Sequence, residues 1–211
     1  HKAIRRQRQM CIRDSLNFAR NAHLFGRMYY TGSGAEYDKR YPICSVTEEE
    51  IGKTLPTDVY GLLKYTVGQM IEQSENIYNF RLFGIYGKYE DYPTKFISNV
   101  CCKAIKNVGL SMRRNGYFDY LWVEDFCRMI EVSGTRISLR EICDMVRKIS
   151  GRDLPAYVCR EGTANEYTAS NERFRKECPD FVYTAPEVAI ERLYRWYEQH
   201  EEQIDLYRLL Y

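Results

Sequence analysis

A tyrosine and a lysine four residues apart, Tyr60 and Lys64, form the pattern with the clearest chemistry in the sequence. If a helix begins near Asp58, both side chains lie on one face of it. An ammonium ion beside a phenol favours the phenolate, so the pair can take a proton from a hydroxyl or return one to a carbonyl during hydride transfer. Chance alone gives about one Tyr-x-x-x-Lys in a chain of this composition, so the neighbouring stretches must decide its meaning.

The stretches on either side of this pair have the order of an α/β fold. Upstream, residues 28–38 read as a short apolar strand that runs into a Gly/Ser turn containing Ser33. Downstream, residues 77–87 read as a second strand that ends in glycines. This order places Ser33 and the Tyr/Lys pair at the carboxyl edge of a parallel sheet, where open α/β sheets bind ligands.

Four stretches together resemble the extended short-chain dehydrogenase/reductases, in their nucleotide-sugar epimerase/dehydratase branch. They are Gly32-Ser33-Gly34-Ala35-Glu36-Tyr37, Tyr60-Gly61-Leu62-Leu63-Lys64, Arg81-Leu82-Phe83-Gly84-Ile85-Tyr86-Gly87 and Phe118-Asp119-Tyr120-Leu121-Trp122-Val123-Glu124-Asp125. The resemblance covers about residues 16–211. It implies an α/β fold, namely the carboxyl-terminal part of a Rossmann-type parallel sheet plus a smaller α+β substrate-binding domain.

The resemblance also implies a role for each candidate site residue. Tyr60 is the expected acid/base, Lys64 tunes it and holds the ribose hydroxyls of NAD or NADP, and Ser33 hydrogen-bonds the reacting oxygen of the sugar. The expected cofactor-binding residues are Tyr60, Lys64, Phe83, Gly84 and Ile85. The expected substrate-binding residues are Lys95, Asn99, Arg114 and Asp119. No metal ligand is expected.

The substrate-binding assignments differ in strength. Lys95 and Asn99 lie where the family approaches the nucleotide, and an ordinary surface role is the alternative for both. Arg114 could meet a diphosphate because guanidinium groups pair well with phosphate oxygens. Phe118 stands where many relatives have Arg, which removes one expected phosphate contact, whereas Asp119 is retained.

Composition excludes several other classes of protein. Hydrophobic residues make up 45% of the chain and charged residues 28%, which permits a real core. No apolar run approaches the roughly 18 residues that span a bilayer. A net charge of +2 gives no case for nucleic acid. We therefore expect a cytoplasmic protein that binds neither nucleic acid nor membrane, and the resemblance implies a nucleotide sugar as its partner.

The cysteines and histidines point to neither disulfides nor a metal site. The eight cysteines contain no C-x-x-C pair, which predicts reduced, mostly buried thiols. The three histidines, His1, His23 and His200, are too scattered for a metal site or a Cys–His nucleophile.

Other elements are predicted from local patterns. Helices are expected over 58–74, from about 93, over 138–150 after the capping box Ser138…Glu141, and from about 184. The core stripe of the first of these comprises Leu62, Leu63, Val67, Met70 and Ile71. Strands are expected near 110–113 and 157–160, and residues 38–57 are expected to form a polar loop.

We expect the chain to divide into three segments. Residues 1–15 are basic and are interpreted as foreign or disordered. Residues 16–92 would form the carboxyl-terminal part of the Rossmann-like NAD(P)-binding domain, and 93–211 mainly the nucleotide-sugar domain. A helix from about 123 runs directly into 132–135, where relatives have more helix, loop and strand, so an internal deletion is expected near 131–132.

The sequence lacks the glycine turn of dinucleotide enzymes, because neither G-x-G-x-x-G nor G-x-x-G-x-x-G occurs in it. That turn lets the backbone approach the pyrophosphate at a helix N-terminus. The resembled family carries it in the first βαβ unit, so we expect this chain to be a carboxyl-terminal fragment. Alone, it is expected to bind NAD(P) no tighter than millimolar and to turn over nothing, and the full-length protein is a candidate homodimer.

The sequence thus predicts a fragment of an NAD(P)-dependent nucleotide-sugar epimerase, dehydratase or reductase that uses Tyr/Lys acid–base chemistry. The alternative is a non-catalytic, family-derived protein that binds a sugar nucleotide or regulates another protein. The intact set Ser33, Tyr60 and Lys64 favours the enzyme, and the missing glycine turn favours the alternative.

Overall fold

The computed structural model describes residues 13–129 and 135–210. It divides into two units, of which the first ends at Phe83 and the second begins at Gly84. Each unit combines helices with parallel strand pairs, so the predicted α/β class is confirmed. Within the predicted segment 1–15, residues 1–12 lie outside the described residues and 13–15 are helical. The deletion predicted near 131–132 also lies outside them.

The first unit is built around one pair of parallel strands and the helix that connects them. Its elements are α1 (13–20), β1 (Met28–Ser33), β2 (Ile43–Val46), α2 (Val59–Ile71) and β3 (Ile77–Leu82), with 3₁₀ turns at Ala22–Leu24, Gly34–Glu36 and Glu48–Glu50. β1 and β3 run parallel, in register from Met28 opposite Ile77 to Ser33 opposite Leu82. The predicted strands and helix are therefore present, but the predicted loop 38–57 contains a strand.

Helix α2 covers one face of the β1–β3 pair. The Asp58 side chain caps it, because its Oδ1 accepts the N–H of Gly61 at 2.9 Å. Val67 and Ile71 pack with Ile77 in a buried cluster, and burying each of these side chains contributes about 1.5–3 kcal/mol.

Of the predicted core stripe of α2, Val67 and Ile71 are buried, Leu63 and Met70 are half-buried, and Leu62 is exposed. Leu62 is 42% exposed. Periodicity predicts that the helix has an apolar stripe, but it does not predict which side of the helix faces the rest of the unit. Here the closest approach is made through Gly61 and Gly68. Residue 62 is rotated by about 100° from residue 61 around the helix axis, which turns its side chain outward.

The second unit contains more helices and several short strands. Its elements are β4 (Ile85–Tyr86), α3 (Phe96–Ile105), β5 (Leu110–Met112), β6 (Tyr117–Trp122), α4 (Val123–Met129), β7 (Thr135–Ser138), α5 (Leu139–Ser150), β8 (Ala156–Val158), β9 (Tyr167–Ala169), α6 (Glu172–Glu177), α7 (Pro186–Gln199) and α8 (Leu206–Leu210), with a 3₁₀ turn at Glu201–Gln203. β6 pairs in parallel with β4 and β9 and antiparallel with β7, while β5 pairs in parallel with β8.

The core of the second unit lies between α3, α5 and α7, whose inner faces contribute Val100, Ile142 and Leu193. The predicted capping box at the start of α5 is present: the Glu141 N–H donates to Ser138 Oγ at 3.2 Å, and the Ser138 N–H donates to Glu141 Oε2 at 2.8 Å. The predicted helices and strands of this unit are therefore found close to their expected places.

The cysteines depart from the prediction of mostly buried thiols. Among the seven that the structure describes, only three are buried, namely Cys101, Cys102 and Cys143. These three lie on the core faces of α3 and α5, and burial raises the pKa of Cys102 and of Cys143 to about 12, which keeps both protonated.

The described part of the chain contains no helix with the length and apolar character that a membrane span requires. Its His, Cys, Asp and Glu side chains form no group of three or more that could hold a metal ion.

We expect the substitution Asp119→Asn to flatten the pH dependence of stability. The Asp119 carboxylate is buried in β6 and accepts the Ala169 N–H at 2.5 Å. Burial raises the pKa of Asp119 to about 6, with a contribution from Glu166, although the Ala169 bond and Arg136 oppose it. Because the ordinary Asp pKa is about 4, the carboxyl favours the folded state at low pH and loses that contribution as the pH rises through about 6.

Urea unfolding of the two proteins at several pH values measures this effect. Relative to wild type, Asp119→Asn should gain on the order of 2 kcal/mol in unfolding free energy between about pH 4 and pH 7. Asp153→Asn is the control, because the Asp153 side chain is 98% exposed. Parallel curves for wild type and Asp119→Asn would show that Asp119 does not titrate near pH 6.

Candidate active site

Ser33 ends β1 and opens the turn that follows it. Its Oγ accepts the Ala35 N–H at 3.1 Å, while its own N–H donates to Glu36 Oε1 at 3.1 Å. This reciprocal capping box fixes the turn at the carboxyl edge of the strand pair. Because Oγ acts as the acceptor in that bond, the hydroxyl hydrogen can be donated to a ligand oxygen.

Lys64 ties helix α2 to the end of β1. Its Nζ donates to the Thr31 carbonyl at 2.8 Å and to the Tyr30 hydroxyl at 3.2 Å. The same Nζ lies 4.7 Å from the centroid of the Tyr30 ring, which favours a cation. An ammonium group carries three hydrogens, so one hydrogen remains for a ligand hydroxyl.

Gly61 allows the first turn of α2 to lie against the turn that follows Ser33. A Cβ at position 61 would lie 2.5 Å from the Ala35 carbonyl oxygen and 2.8 Å from Pro56 Cβ. Tyr60 directly precedes this glycine. The structure therefore brings Ser33, Gly61 and Lys64 to the carboxyl end of β1, with Tyr60 next to Gly61 in the chain, and the joint role of Ser33, Tyr60 and Lys64 stays a prediction.

The surroundings of Tyr60 include a cation that sequence reasoning missed. Tyr60 is 40% exposed, and Lys39 Nζ lies 5.8 Å from the centroid of its ring. Lys39 also lies 3.9 Å from Asp58 Oδ2, at the start of α2. Lys39 follows the Ser33 turn in an irregular segment, so no periodic pattern relates it to Tyr60.

A buried ionic network lies beneath the Ser33 turn, and sequence reasoning missed it too. The Glu36 side chain is 1% exposed, and its Oε2 accepts Arg81 Nε at 2.7 Å. Arg81 also pairs with Glu72, and Asn79 Nδ2 donates to Glu36 Oε2 at 3.3 Å. Burial raises the pKa of Glu36, while Arg81 and the Ser33 N–H oppose that shift. The Ser-x-x-Glu spacing was a signal for the capping box, although not for the burial.

The predicted cofactor residues beyond the Tyr/Lys pair fall in both units. Phe83 directly follows β3 in the first unit, with its ring centroid 5.8 Å from that of Tyr37. Gly84 and Ile85 open the second unit, where a Cβ at Gly84 would lie 2.7 Å from the Asp119 carbonyl oxygen. The nearness of 83–85 to a nicotinamide stays a prediction.

The predicted substrate residues all lie in the second unit. Lys95 is exposed and directly precedes α3, in which Asn99 Nδ2 donates to the Pro93 carbonyl at 3.3 Å. Arg114 is exposed and follows β5. Asp119 is buried and bonded to the backbone of β9, so its carboxylate already has a structural partner. The substrate-binding roles of all four stay predictions.

A parallel strand pair with a serine turn at its carboxyl edge, next to a Tyr-x-x-x-Lys helix, defines the class of short-chain dehydrogenase/reductases. The sequence matches the NAD dependent epimerase/dehydratase family over residues 11–137, which is more than half of the chain. The chain belongs to this family, which confirms the resemblance stated above. Comparison with curated proteins gives no match.

Solved structures show the same fold at low sequence identity. dTDP-glucose 4,6-dehydratase from Bacillus anthracis in complex with NAD has a TM-score of 0.71 at 17% identity, covering 90% of this chain and 68% of that one. The Bordetella bronchiseptica enzyme WbmG in complex with NAD and UDP has a TM-score of 0.71 at 16% identity, covering 90% and 65%. A GDP-L-fucose synthetase from Naegleria fowleri has a TM-score of 0.71 at 14% identity, covering 90% and 72%.

These likenesses support the Rossmann-like assignment of the fold. The chain spans between 65% and 72% of the length of the three compared chains.

Proposed function

We propose that this chain carries the acid–base site of an NAD(P)-dependent enzyme that acts on nucleoside-diphosphate sugars as an epimerase, dehydratase or reductase. The observation that carries the proposal is the anchoring of Lys64 Nζ to the Thr31 carbonyl at 2.8 Å. That bond fixes the helix bearing Tyr60 beside the turn bearing Ser33. Family membership supports the same chemistry.

In this mechanism, Tyr60 moves the proton and Ser33 holds the reacting oxygen. The Tyr60 phenolate takes the hydrogen of a sugar hydroxyl as the carbon of that group loses a hydride, and a carbonyl forms. In the reverse direction the Tyr60 hydroxyl returns the proton to the carbonyl oxygen. The Ser33 hydroxyl donates to the same oxygen, and Lys64 holds the helix that carries Tyr60 at the end of β1 through its bond to the Thr31 carbonyl.

The residues at this edge fit the nicotinamide half of NAD or NADP. When bound, the nicotinamide supplies the hydride acceptor or donor of the reaction. The unused hydrogen of the Lys64 ammonium group can donate to a ribose hydroxyl, because the bonds to Thr31 and Tyr30 use only two of the three. The structures of the Bacillus anthracis and Bordetella bronchiseptica proteins, both complexes with NAD, support this cofactor.

The proposed substrate class rests on the family and on the compared proteins, which are a dTDP-glucose 4,6-dehydratase, an enzyme in complex with UDP and a GDP-L-fucose synthetase. Arg114 is the candidate contact for a phosphate because it is exposed and carries a permanent charge. Lys95 and Asn99, at the start of α3, are the candidate contacts for the nucleotide.

Turnover of nucleotide sugars by the protein expressed from its complete reading frame tests the proposal. The protein is incubated with NAD⁺ or NADP⁺ and with UDP-glucose, dTDP-glucose or GDP-mannose. Proton NMR then reports any epimer or keto sugar, and absorbance reports any net reduction of the nicotinamide. We expect one of these sugars to change only when the dinucleotide is present.

The outcomes separate the enzyme from the non-catalytic alternative. Calorimetric titration with each nucleotide sugar is run beside the NMR assay. Tight binding without any change in the sugar would support a family-derived binding protein instead of an enzyme. Absence of both binding and turnover for the whole set of sugars would reject the proposed substrate class.

A further inference from the structure

We propose that Glu36 is a positioning residue for the candidate active site, and this inference rests on the function proposed above. Glu36 would act through Ser33, because it holds the Ser33 backbone. It would also act through helix α2, because it sets the distance of that helix from the strands β1 and β3. It would not touch the substrate. All the contacts of Glu36 that carry this role lie inside the first unit.

The first contact is with Ser33 itself. Glu36 Oε1 accepts the Ser33 N–H at 3.1 Å, and Ser33 Oγ accepts the Ala35 N–H at 3.1 Å. Together the two bonds hold Ser33 in an extended conformation with φ −153° and ψ 142°. The Glu36 carboxylate holds the Ser33 backbone and the Ala35 N–H holds its Oγ, so the two bonds together fix where the serine hydroxyl lies.

The second contact makes the carboxylate stable in its buried place. An acid of a capping box ordinarily reaches back along the surface, whereas the Glu36 side chain is only 1% exposed. A buried carboxylate needs a cation and hydrogen-bond donors, which Arg81 and Asn79 supply from β3. Glu36 therefore connects the turn after β1 to β3, the two strands whose ends form the site.

The third contact is with helix α2. A Cβ at Gly68 would lie 2.8 Å from Glu36 Oε2, and a Cβ at Gly32 would lie 2.6 Å from Glu36 Oε1. Glycine inside a helix is less favourable than alanine, so Gly68 gives up helix stability and leaves room for the carboxylate. Arg81 adds a bridge from Glu36 to Glu72 at the end of α2.

These contacts set the position of the whole helix. Tyr60 and Lys64 lie on α2, the same helix whose later turns pack on Glu36 through Gly68 and reach Arg81 through Glu72. A hydrogen-bonded helix moves as a rigid element, so a change at Glu36 would shift Tyr60 and Ser33 relative to each other. Misplacement by about 1 Å can cost on the order of 10²-fold in rate.

The chain offers a matched control two residues away. Asp38 has a side chain that is also 1% exposed, and it pairs with Arg40 through Oδ2 at 2.6 Å. Removing its charge breaks a buried acid's ion pair in the same segment without altering the bonds of Ser33 or the packing of Gly68.

The test compares Glu36→Gln with Asp38→Asn in the full protein. In Glu36 the Ser33 N–H bonds one carboxylate oxygen and Arg81 the other, whereas glutamine has a single oxygen. The charged Arg81 takes that oxygen, so the amide nitrogen faces the Ser33 N–H and cannot accept from it. Hydrogen exchange of the Ser33 amide, followed by NMR, should accelerate by about tenfold or more in Glu36→Gln because its bond partner is lost. In Asp38→Asn the Ser33 amide should exchange as in wild type.

Kinetics with the nucleotide sugar that the wild-type protein converts give the second readout. In Glu36→Gln, kcat should fall by about 10²-fold while the KM for the dinucleotide stays nearly constant. In Asp38→Asn, kcat should stay close to that of wild type. Gly68→Ala should displace the Glu36 carboxylate without changing any charge, so it should reproduce the loss of kcat. This variant tests the positioning role even if Glu36→Gln folds poorly.

The remaining outcomes test the positioning role of Glu36 and the proposed function separately. Wild-type exchange of the Ser33 amide in both Glu36→Gln and Gly68→Ala overturns the positioning role. Equal kcat losses in Glu36→Gln and Asp38→Asn overturn it as well, because a general loss of stability would then explain both. If the wild-type protein converts no nucleotide sugar, the proposed function fails, and the exchange measurements alone decide whether Glu36 holds Ser33.

Discussion

Tyr60→Phe is expected to lower kcat by about 10²–10⁴-fold, the usual contribution of a positioned acid/base, and to leave folding nearly unchanged. Phenylalanine keeps the ring that Lys39 faces at 5.8 Å but has no hydroxyl to exchange a proton with the sugar. The measurement is kcat in the full protein with the nucleotide sugar it converts, together with thermal unfolding of both proteins.

Tyr65→Phe is the control for this substitution. Tyr65 lies on the same helix, turned by about 140° from Tyr60 around the helix axis, and its hydroxyl oxygen is 3.0 Å from the place where a Cβ of residue 52 would lie. Loss of the Tyr65 hydroxyl should change kcat little. Retention of more than about a tenth of the wild-type kcat by Tyr60→Phe would show that another group moves the proton.

The parts of the site that sequence could predict are those encoded locally. Asp58 and the spacing of Tyr60 and Lys64 predict a capped helix with both candidate side chains on one face, because an α-helix repeats every 3.6 residues. The apolar run before Ser33 predicts a strand that ends there. The structure confirms these elements because each depends on residues close together in the chain.

The parts that sequence could not predict depend on contacts between distant residues. Arg81 reaches Glu36 only because β1 and β3 lie side by side, and Lys39 reaches Tyr60 only because an irregular segment folds over the start of α2. Periodicity could not predict the rotation of α2 either, so Leu62 was assigned to the core although it is 42% exposed. Such contacts follow from tertiary packing, which local patterns do not encode.

Gly61→Ala is expected to have the second-largest effect, on both stability and rate. The added methyl would lie 2.5 Å from the Ala35 carbonyl oxygen and 2.8 Å from Pro56 Cβ, so the helix or the turn must move. Alanine gains about 1 kcal/mol in helix propensity, but overpacking typically costs about 1–3 kcal/mol, and here one clashing atom belongs to the backbone. The resulting shift between Tyr60 and Ser33 should lower kcat on the order of 10²-fold.

Urea unfolding and steady-state kinetics of Gly61→Ala measure the two effects, with Gly26→Ala as the control. Among the described residues, apart from the two neighbours of Gly26 in the chain, no atom lies within 4 Å of a Cβ built at Gly26, so alanine there should change stability and kcat little. If Gly61→Ala were instead more stable than wild type with an unchanged kcat, its helix propensity alone would have decided the outcome. The first turn of α2 would then not be held against Ala35, and the close approach that places Tyr60 beside the Ser33 turn would not matter for catalysis.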